Sequence, residues 1–284
     1  MRAIRLMVTV ALIGLAACET PEPVTAIPGG AVRAGKSSDL DGMPDLIVDA
    51  KRLATSWVVY DQDLRKDFCS LVEGGVSPGV HRVLRFGVTT PNIGTADLVI
   101  GNPLDHVAAG DGLFEFATCH GHFHYRHYAS YELVSATDGR VYLAAKKGFC
   151  MIDVTPWRSD APPAGRVYDA CGTLVAPGNQ GISTGWADTY DKHIGGQYFV
   201  LDDSAAPVPP GEYLIRITVN PPFECSLADS LRPRDANGLC HNFVESNYDN
   251  NQVIVPITIP DRPGKTGFGP GAEQPPDSEP EDPS

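Results

Sequence analysis

The chain has 284 residues, of which 42% are hydrophobic and 20% charged, and its formal net charge is −13 at pH 7. This composition is ordinary for a globular protein, and it excludes wholesale disorder, a coiled coil and a multi-span membrane protein. The negative charge would repel a phosphate backbone, so we expect no nucleic-acid partner. The 29 Gly and 25 Pro residues indicate many turns and little room for long helices.

Residues 1–17 have the pattern of a secretory signal peptide. Arg2 and Arg5 precede an apolar run that ends at Ala17 and is too short to span a bilayer. The run closes with Leu-Ala-Ala-Cys, which resembles the bacterial lipoprotein cleavage motif. We therefore predict an exported chain, periplasmic or on the outer membrane or cell surface, that contacts a membrane only through a lipid on Cys18. The alternative is an ordinary signal peptide with Cys18 as an incidental thiol.

Two low-complexity segments flank a predicted single domain at residues 43–260. Residues 18–42 are rich in Pro, Gly, Ser and Ala, which is typical of a spacer. Residues 261–284 are acidic and Pro-rich and lack core-forming residues, so we expect them to be disordered. The stretch between them is long enough for one sizeable core.

Apolar residues occupy every second position in three runs, at 84–88, 213–219 and 253–259. This spacing predicts β-strands. Pro256 interrupts the third run, and because proline cannot donate a backbone hydrogen bond we expect that strand at a sheet edge. No run has the pattern of a long amphipathic helix. We predict an all-β, sandwich-like single domain with long loops and few short helices.

The most specific feature is the segment Cys-His-Gly-His-Phe-His at residues 119–124. If the segment is extended, alternate side chains share a face, so His120, His122 and His124 project together. Three protonated imidazoles would repel one another, whereas a shared metal ion binds the neutral form. The pattern therefore predicts a metal site, for which zinc and copper are equally suitable. His127 is out of phase with the other three and is left outside the site.

This segment resembles the copper-binding segment of the lysyl oxidase family, and the resemblance extends in a consistent order over about residues 43–260. Lys146–Cys150 is similar to the family's Lys-x-x-Phe-Cys, and Asp188–Tyr190 to its Asp-Thr-Tyr. The remaining segments are Asn92–Asp97, Gln180–Ser183, Pro210–Tyr213, Val219–Pro221 and Glu245–Asn251. The ordered set is far more specific than the histidine motif alone.

The resemblance implies an enzyme whose three histidines bind copper and whose quinone cofactor, lysine tyrosylquinone, is made from Lys146 and Tyr190. It implies oxidative deamination of primary amines, either peptidyl lysine or small amines. O₂ is consumed, and an aldehyde, ammonia and hydrogen peroxide are released. Asp188 is a candidate base for the substrate proton. Lys147, one position further on, competes with Lys146 as the cofactor lysine.

The resemblance also implies a calcium site that ties the two ends of the domain together. Oxygen ligands of this kind suit a hard cation. The candidates are Asp45, Leu46, Glu245, Asn247, Asn250 and Asn251. Asn247 stands where the family often has Asp, which should weaken binding. The alternative is an Asn/Asp-rich turn that holds no cation.

Six cysteines remain after Cys18, and an even number in an exported chain indicates three disulfides whose pairing the sequence alone leaves open. The resemblance implies the pairs Cys69–Cys119, Cys150–Cys171 and Cys225–Cys240. Trp186 and Gly196 depart from the family, because animal members have a bridged pair of cysteines at these positions.

Two other functions are compatible with the histidine motif. A periplasmic copper-binding lipoprotein of the same fold would hold the metal without forming a quinone. A zinc hydrolase could use the same three histidines, but it gives Lys146 and Tyr190 no necessary role.

Overall fold

A computed structural model describes residues 42–146, 148–158, 166–263 and 267–271. These residues form mostly strands, with three α-helices of six or seven residues. The all-β prediction is confirmed. No helix in the described ranges is long and apolar enough to cross a membrane. Cys18, Lys147 and most of the predicted tail lie outside these ranges.

The helices are α1 Ala50–Thr55, α2 Cys69–Gly74 and α3 Pro103–Ala109, and a 3₁₀ turn covers Leu227–Asp229. The strands are β1 Trp57–Leu64, β2 Gly79–Phe86, β3 Val88–Pro91, β4 Leu98–Gly101, β5 Phe114–Ala117, β6 His122–Arg126, β7 Ala129–Ser135, β8 Val141–Leu143, β9 Gly148–Phe149, β10 Thr155–Pro156, β11 Gln180–Ile182, β12 Trp186–Tyr190, β13 Tyr198–Val200, β14 Gly211–Val219 and β15 Gln252–Ile259.

The largest sheet has the strand order β15-β14-β7-β8, and all its pairs are antiparallel. In β14, Tyr213, Ile215 and Ile217 are buried and alternate with more exposed residues, as the spacing predicts. Pro256 lies in β15, which among the described residues pairs only with β14 and is therefore the predicted edge strand. An edge position tolerates proline because one side of the strand makes no ladder hydrogen bonds.

Four smaller sheets complete the domain, with the orders β1-β2-β13, β10-β12-β3, β5-β6-β9 and β11-β4. Side chains from different sheets meet in one hydrophobic cluster, which includes Phe86 of β2, Tyr125 of β6, Tyr190 of β12 and Ile215 of β14. The strand that carries two of the histidines and the strand that carries Tyr190 therefore share one core.

Arg85 departs from the alternation predicted for residues 84–88. It is 1% exposed, although the pattern assigns it to the polar face. Its guanidinium donates to Gln62 Oε1 and to the backbone oxygens of Lys192 and Ile194, each at 2.9 Å, and lies over the ring of Tyr198. A charge can be buried at this depth because these partners replace its water shell.

Part of the predicted tail pairs with β1. Phe268 and Val59 exchange two backbone hydrogen bonds of 2.8 Å, and the Phe268 ring lies 6.1 Å from that of Trp57. Residues 267–271 therefore extend the packed structure beyond Pro260, in contrast to the disorder expected for 261–284. Composition missed this contact because backbone pairing and one aromatic ring hold the segment, and neither needs a long apolar run.

Candidate metal and cofactor centre

The three histidines lie on the hairpin formed by β5 and β6. His122 and His124 are on β6, whereas His120 is in the turn that joins the two strands. The extended segment therefore starts only at His122. Gly121 has a φ of +75°, a left-handed conformation that glycine adopts without strain, and its N–H donates to Ala117 O at 2.7 Å. The tight turn brings His120 beside the two strand histidines.

The imidazole rings form a compact triangle. Their centroids are 5.6 Å apart for His120 and His122, 5.3 Å for His120 and His124, and 5.0 Å for His122 and His124. The Nε2 atoms of His122 and His124 are 3.1 Å apart. Nitrogens this close on three converging rings fit a single transition-metal ion, which prefers imidazole ligands at such a site.

The surroundings of His124 favour its neutral, ligand form. Burial lowers the pKa of His124 to about 2, and the positive charges of Lys146, His122 and His120 act in the same direction. Gly148 packs directly against this ring, so that a side chain at position 148 would collide with the imidazole. The strand pairing of Arg126 with Gly148 therefore fixes the ring from one side.

Glu73 is a site residue that the sequence reasoning missed. Its two carboxylate oxygens lie 2.9 and 2.8 Å from Nδ1 of His120. Ligand atoms of Glu73, His120 and His124 all lie within 4.8 Å of one another. The implied disulfide Cys69–Cys119 was the available signal, because Glu73 is one helical turn after Cys69 and His120 is the neighbour of Cys119.

Lys146 and Tyr190 lie side by side in the core. The Nζ atom of Lys146 is 4.8 Å from the centre of the Tyr190 ring and 5.5 Å from that of Phe149. Lys146 is 8% exposed and Tyr190 is 2% exposed. The amine is therefore held over the phenol ring to which the implied cofactor would join it, and water has little access to the pair.

The backbone around this pair leaves it little freedom. The Tyr190 hydroxyl donates to Cys150 O at 2.7 Å, and the Phe149 ring meets the Tyr190 ring edge-on at 5.3 Å. The N–H of Lys146 donates to Gly196 O at 2.8 Å. Gly196 has a φ of +73°, and a Cβ there would lie 3.1 Å from Lys146 Cα. Gly196 therefore permits a close approach to Lys146, the candidate cofactor lysine.

Asp188 lies within β12, and it is 1% exposed. It is two residues before Tyr190, so the two side chains project from the same face of the strand. Burial and, next, the charge of Asp188 raise the pKa of Tyr128, whose hydroxyl bonds to that of Thr90. The carboxylate therefore faces the buried layer that also contains Tyr190.

A cavity of about 350 Å³ opens beside Lys146. Its lining includes Tyr131, Leu143, Glu115 and Arg126. Glu115 and Arg126 form a 3.6 Å ion pair at its exposed rim. Glu115 is the cross-strand partner of His124, and residues directly opposite in a pair project to the same face. The cavity is therefore on the histidine side of the hairpin, and it connects Lys146 with the surface.

The predicted calcium residues lie around the buried carboxylate of Glu245. Its Oε1 accepts from Leu46 N at 3.2 Å and its Oε2 from Asn251 Nδ2 at 2.5 Å, while Asn250 Nδ2 donates to Asp45 Oδ1 at 3.0 Å. The buried Oδ1 atoms of Asn250 and Asn251 have no hydrogen-bond partner among the described residues. Burial raises the pKa of Glu245 to about 8. A cation bound here would be coordinated by the Oδ1 atoms of Asn250 and Asn251, and its positive charge would favour the ionised form of Glu245.

Asn247 is oriented differently from the other predicted calcium residues. It is exposed, and its Oδ1 accepts from Asp249 N at 3.0 Å, closing a turn. The structure therefore brings Asp45, Glu245, Asn250 and Asn251 together and leaves Asn247 at the rim.

Three disulfides join Cys69 to Cys119, Cys150 to Cys171 and Cys225 to Cys240, the pairs that the resemblance implies. The first connects α2 to the histidine turn. The second includes the residue whose carbonyl accepts the Tyr190 hydroxyl. Two of the three cross-links thus adjoin the candidate site.

Comparison with known proteins gives one family. The family model described as lysyl oxidase matches residues 44–258. Lysyl oxidase homolog 4 of Homo sapiens is 26% identical over 227 residues, which cover 76% of this chain and 28% of the relative. Lysyl oxidase homolog 2 of Bos taurus is 28% identical over 228 residues, 76% of this chain and 27% of the relative. The chain therefore spans less than a third of the length of these curated relatives.

Proposed function

The chain belongs to the lysyl oxidase family, and from that membership we propose that it oxidises primary amines with copper and a lysine tyrosylquinone cofactor. In the net reaction, an amine, O₂ and water give an aldehyde, ammonia and hydrogen peroxide. Family membership suggests the coarser part, copper-dependent amine oxidation. The cofactor residues and the activity of this chain are proposals.

The observation that carries the proposal is the position of Lys146. Its Nζ atom lies 4.8 Å from the centre of the Tyr190 ring, and its positive charge is close enough to lower the pKa of His124. One side chain therefore connects the tyrosine to the histidine triangle. Neither a copper store nor a zinc hydrolase requires a lysine amine above a buried phenol.

We propose that His120, His122 and His124 bind copper. When bound, copper would supply the one-electron chemistry with O₂ that is needed to form the quinone and to reoxidise the reduced cofactor after each turnover. The low pKa of His124 keeps the nitrogens of that ring neutral and available to the ion over the physiological pH range.

Lys146 and Tyr190 would supply the cofactor atoms. The hydrogen bond from the Tyr190 hydroxyl to Cys150 O fixes the rotation of the phenol, so that the same ring face stays toward the lysine. Burial of both residues excludes water, which would otherwise compete with the amine for an electrophilic ring.

Asp188 is the proposed base that removes the substrate proton. Its place on the same strand face as Tyr190, two residues away, puts a carboxylate beside the ring where the substrate amine would react. The cavity at Lys146 is the proposed route for that amine, because it reaches the lysine from the surface.

The cofactor assignment is tested by peptide mass. Protein expressed with copper should give a cross-linked peptide pair that contains Lys146 and Tyr190, should stain for a redox-active quinone and should release peroxide from primary amines. Lys146→Arg and Tyr190→Phe should abolish all three signals while copper stays bound. Lys192→Arg is the control for the lysine change. Tyr142→Phe is the control for the tyrosine change, because the Tyr142 hydroxyl donates to Pro207 O at 3.3 Å and its ring packs against Tyr213.

An uncross-linked Tyr190 peptide from copper-loaded, peroxide-silent protein would support the copper-binding lipoprotein instead. Metal-dependent hydrolysis with zinc in native material would support the hydrolase. Activity that survives either substitution would refute the cofactor assignment.

We also propose that the protein is exported and held at a membrane by a lipid on Cys18. The support is the signal-like run and the Leu-Ala-Ala-Cys sequence at residues 15–18. Cys18→Ser should release the protein into the soluble fraction, and intact-mass measurement of the wild type should show the mass of the acyl chains.

A further inference from the structure

We propose that Glu73 is a positioning residue for the copper site: its carboxylate accepts the Nδ1 proton of His120 and leaves Nε2 of that ring for the metal. This inference rests on the proposed binding of copper by the three histidines. No motif in the sequence points to Glu73, which lies 47 residues before His120.

The geometry is that of a carboxylate bound to a ligand histidine. Both oxygens of Glu73 are within 2.9 Å of Nδ1 of His120. The His120 side chain is 7% exposed and that of Glu73 is 25% exposed, so solvent screens the contact only in part. A carboxylate at one ring nitrogen fixes the tautomer and orientation of the imidazole and raises the basicity of the other nitrogen.

The other two histidines use the same nitrogen. His122 and His124 face each other through their Nε2 atoms, 3.1 Å apart. If Nδ1 of His120 is occupied by Glu73, Nε2 is its only remaining ligand atom, so all three rings would bind through Nε2. His120 needs this outside restraint most, because it lies in the turn, whereas the strand ladder of β6 holds the other two.

Glu73 itself is fixed by the elements around α2. The disulfide Cys69–Cys119 joins the start of the helix to the residue before His120. At the other end, Gly74 lies against the chain at Ala145, where a Cβ would be 2.9 Å from the carbonyl oxygen. One short helix thus contacts both the histidine turn and the residue that precedes Lys146.

The test compares copper binding by the full-length, folded protein and three variants. Copper affinity is measured by competition with a chromophoric chelator, and the ligand set by electron paramagnetic resonance. Glu73→Ala should weaken copper binding by about 10- to 100-fold, the usual cost of losing such a partner. Glu73→Gln should recover part of the loss, because its amide oxygen still accepts the Nδ1 proton. Asp67→Ala, a carboxylate two residues before α2 that pairs with Arg65 at the surface, should bind copper as the wild type does.

The spectra separate a positioning role from direct ligation. The wild type and Glu73→Gln should show the same nitrogen couplings, with a broader or mixed signal in Glu73→Ala. Loss of an oxygen ligand in Glu73→Gln would overturn the proposal, because Glu73 would then bind the metal itself.

Unchanged copper affinity in a folded Glu73→Ala variant would also overturn the proposal and leave copper binding by the histidines intact. If the wild type binds no copper, the proposed function fails as well. If the wild type binds copper and Glu73→Ala binds it equally well, only the role of Glu73 fails. Should Glu73→Ala misfold, the Glu73→Gln affinity and spectrum decide the question.

Discussion

The candidate copper centre and the candidate calcium cluster are built in opposite ways. The three histidines come from five consecutive residues on one hairpin, whereas Glu245 accepts from Leu46 across 199 positions and Asn250 donates to Asp45 across 205. The first site depends on local backbone geometry, and the second exists only when the two ends of the domain meet. We therefore expect changes at the copper centre to alter chemistry, and changes at the calcium cluster to alter stability.

The largest effect should follow removal of a copper ligand. His124→Ala should eliminate stoichiometric copper binding, because two imidazoles are left to hold the ion, while calcium should still raise the melting temperature. Metal analysis after dialysis and thermal unfolding measure the two quantities. His127→Asn is the matched control: His127 is exposed, has a φ of 58° that Asn tolerates, and lies outside the triangle. Loss of the calcium effect in His124→Ala would contradict the separation of the two sites.

The converse change is Glu245→Gln, which should leave copper bound and remove calcium-dependent stabilisation. A ligand present at 100 times its Kd stabilises a folded protein by about 2.7 kcal/mol, and this is the amount that the variant should lose. Urea unfolding with calcium or a chelator gives the value. Glu212→Gln, on the exposed face of β14, should keep the full calcium effect. If calcium stabilises neither wild type nor variant, the Asn/Asp-rich turn holds no cation.

A pH dependence of intermediate size should follow from the pKa of Glu245. Because folding raises it from 4.5 to about 8, the folded state binds more protons than the unfolded state between these values. The contribution of Glu245 therefore favours the folded state less as pH rises through this window. Calcium favours the carboxylate, so the gain in melting temperature on adding calcium should grow from pH 5 to pH 8. A calcium effect independent of pH would exclude Glu245 as a ligand.

The smallest effect should come from Asn247→Asp, which restores the residue common in the family. Because position 247 is exposed, the added charge should tighten calcium binding by less than about 1 kcal/mol. Calorimetric titration with calcium measures the difference. Weaker binding in the variant would place the cation away from this rim.

The same contrast explains which features could be predicted from the sequence. The alternating runs at 213–219 and 253–259 predict strands, and Pro256 predicts the sheet edge, because these signals lie in neighbouring residues. The histidine spacing likewise predicts a cluster, although His120 reaches it through a turn rather than along a strand.

Features that depend on distant contacts were not visible in local patterns. Arg85 has the position of a surface residue in its run, yet four remote groups bury it. In the sequence, Glu73 is an ordinary carboxylate on a short helix. The Cys69–Cys119 disulfide joins that helix to the histidine turn, and Glu73 therefore lies beside His120. Lys146 and Tyr190 stand out only through the family resemblance, because a lone Lys and a lone Tyr carry no spacing signal.

Residues 267–271 lie against an outer strand of the domain. β1 is the outer strand of its sheet, and an outer strand offers unpaired N–H and C=O groups to any similar chain. Phe268 occupies that row at Val59, and Gly271 donates to Trp57 O at 2.9 Å. Glycines on both sides of Phe268 let the segment lie flat, since a Cβ at Gly269 would be 2.6 Å from Trp57 O. The segment thus covers part of the outer edge of β1 and hinders its pairing with a strand of another molecule.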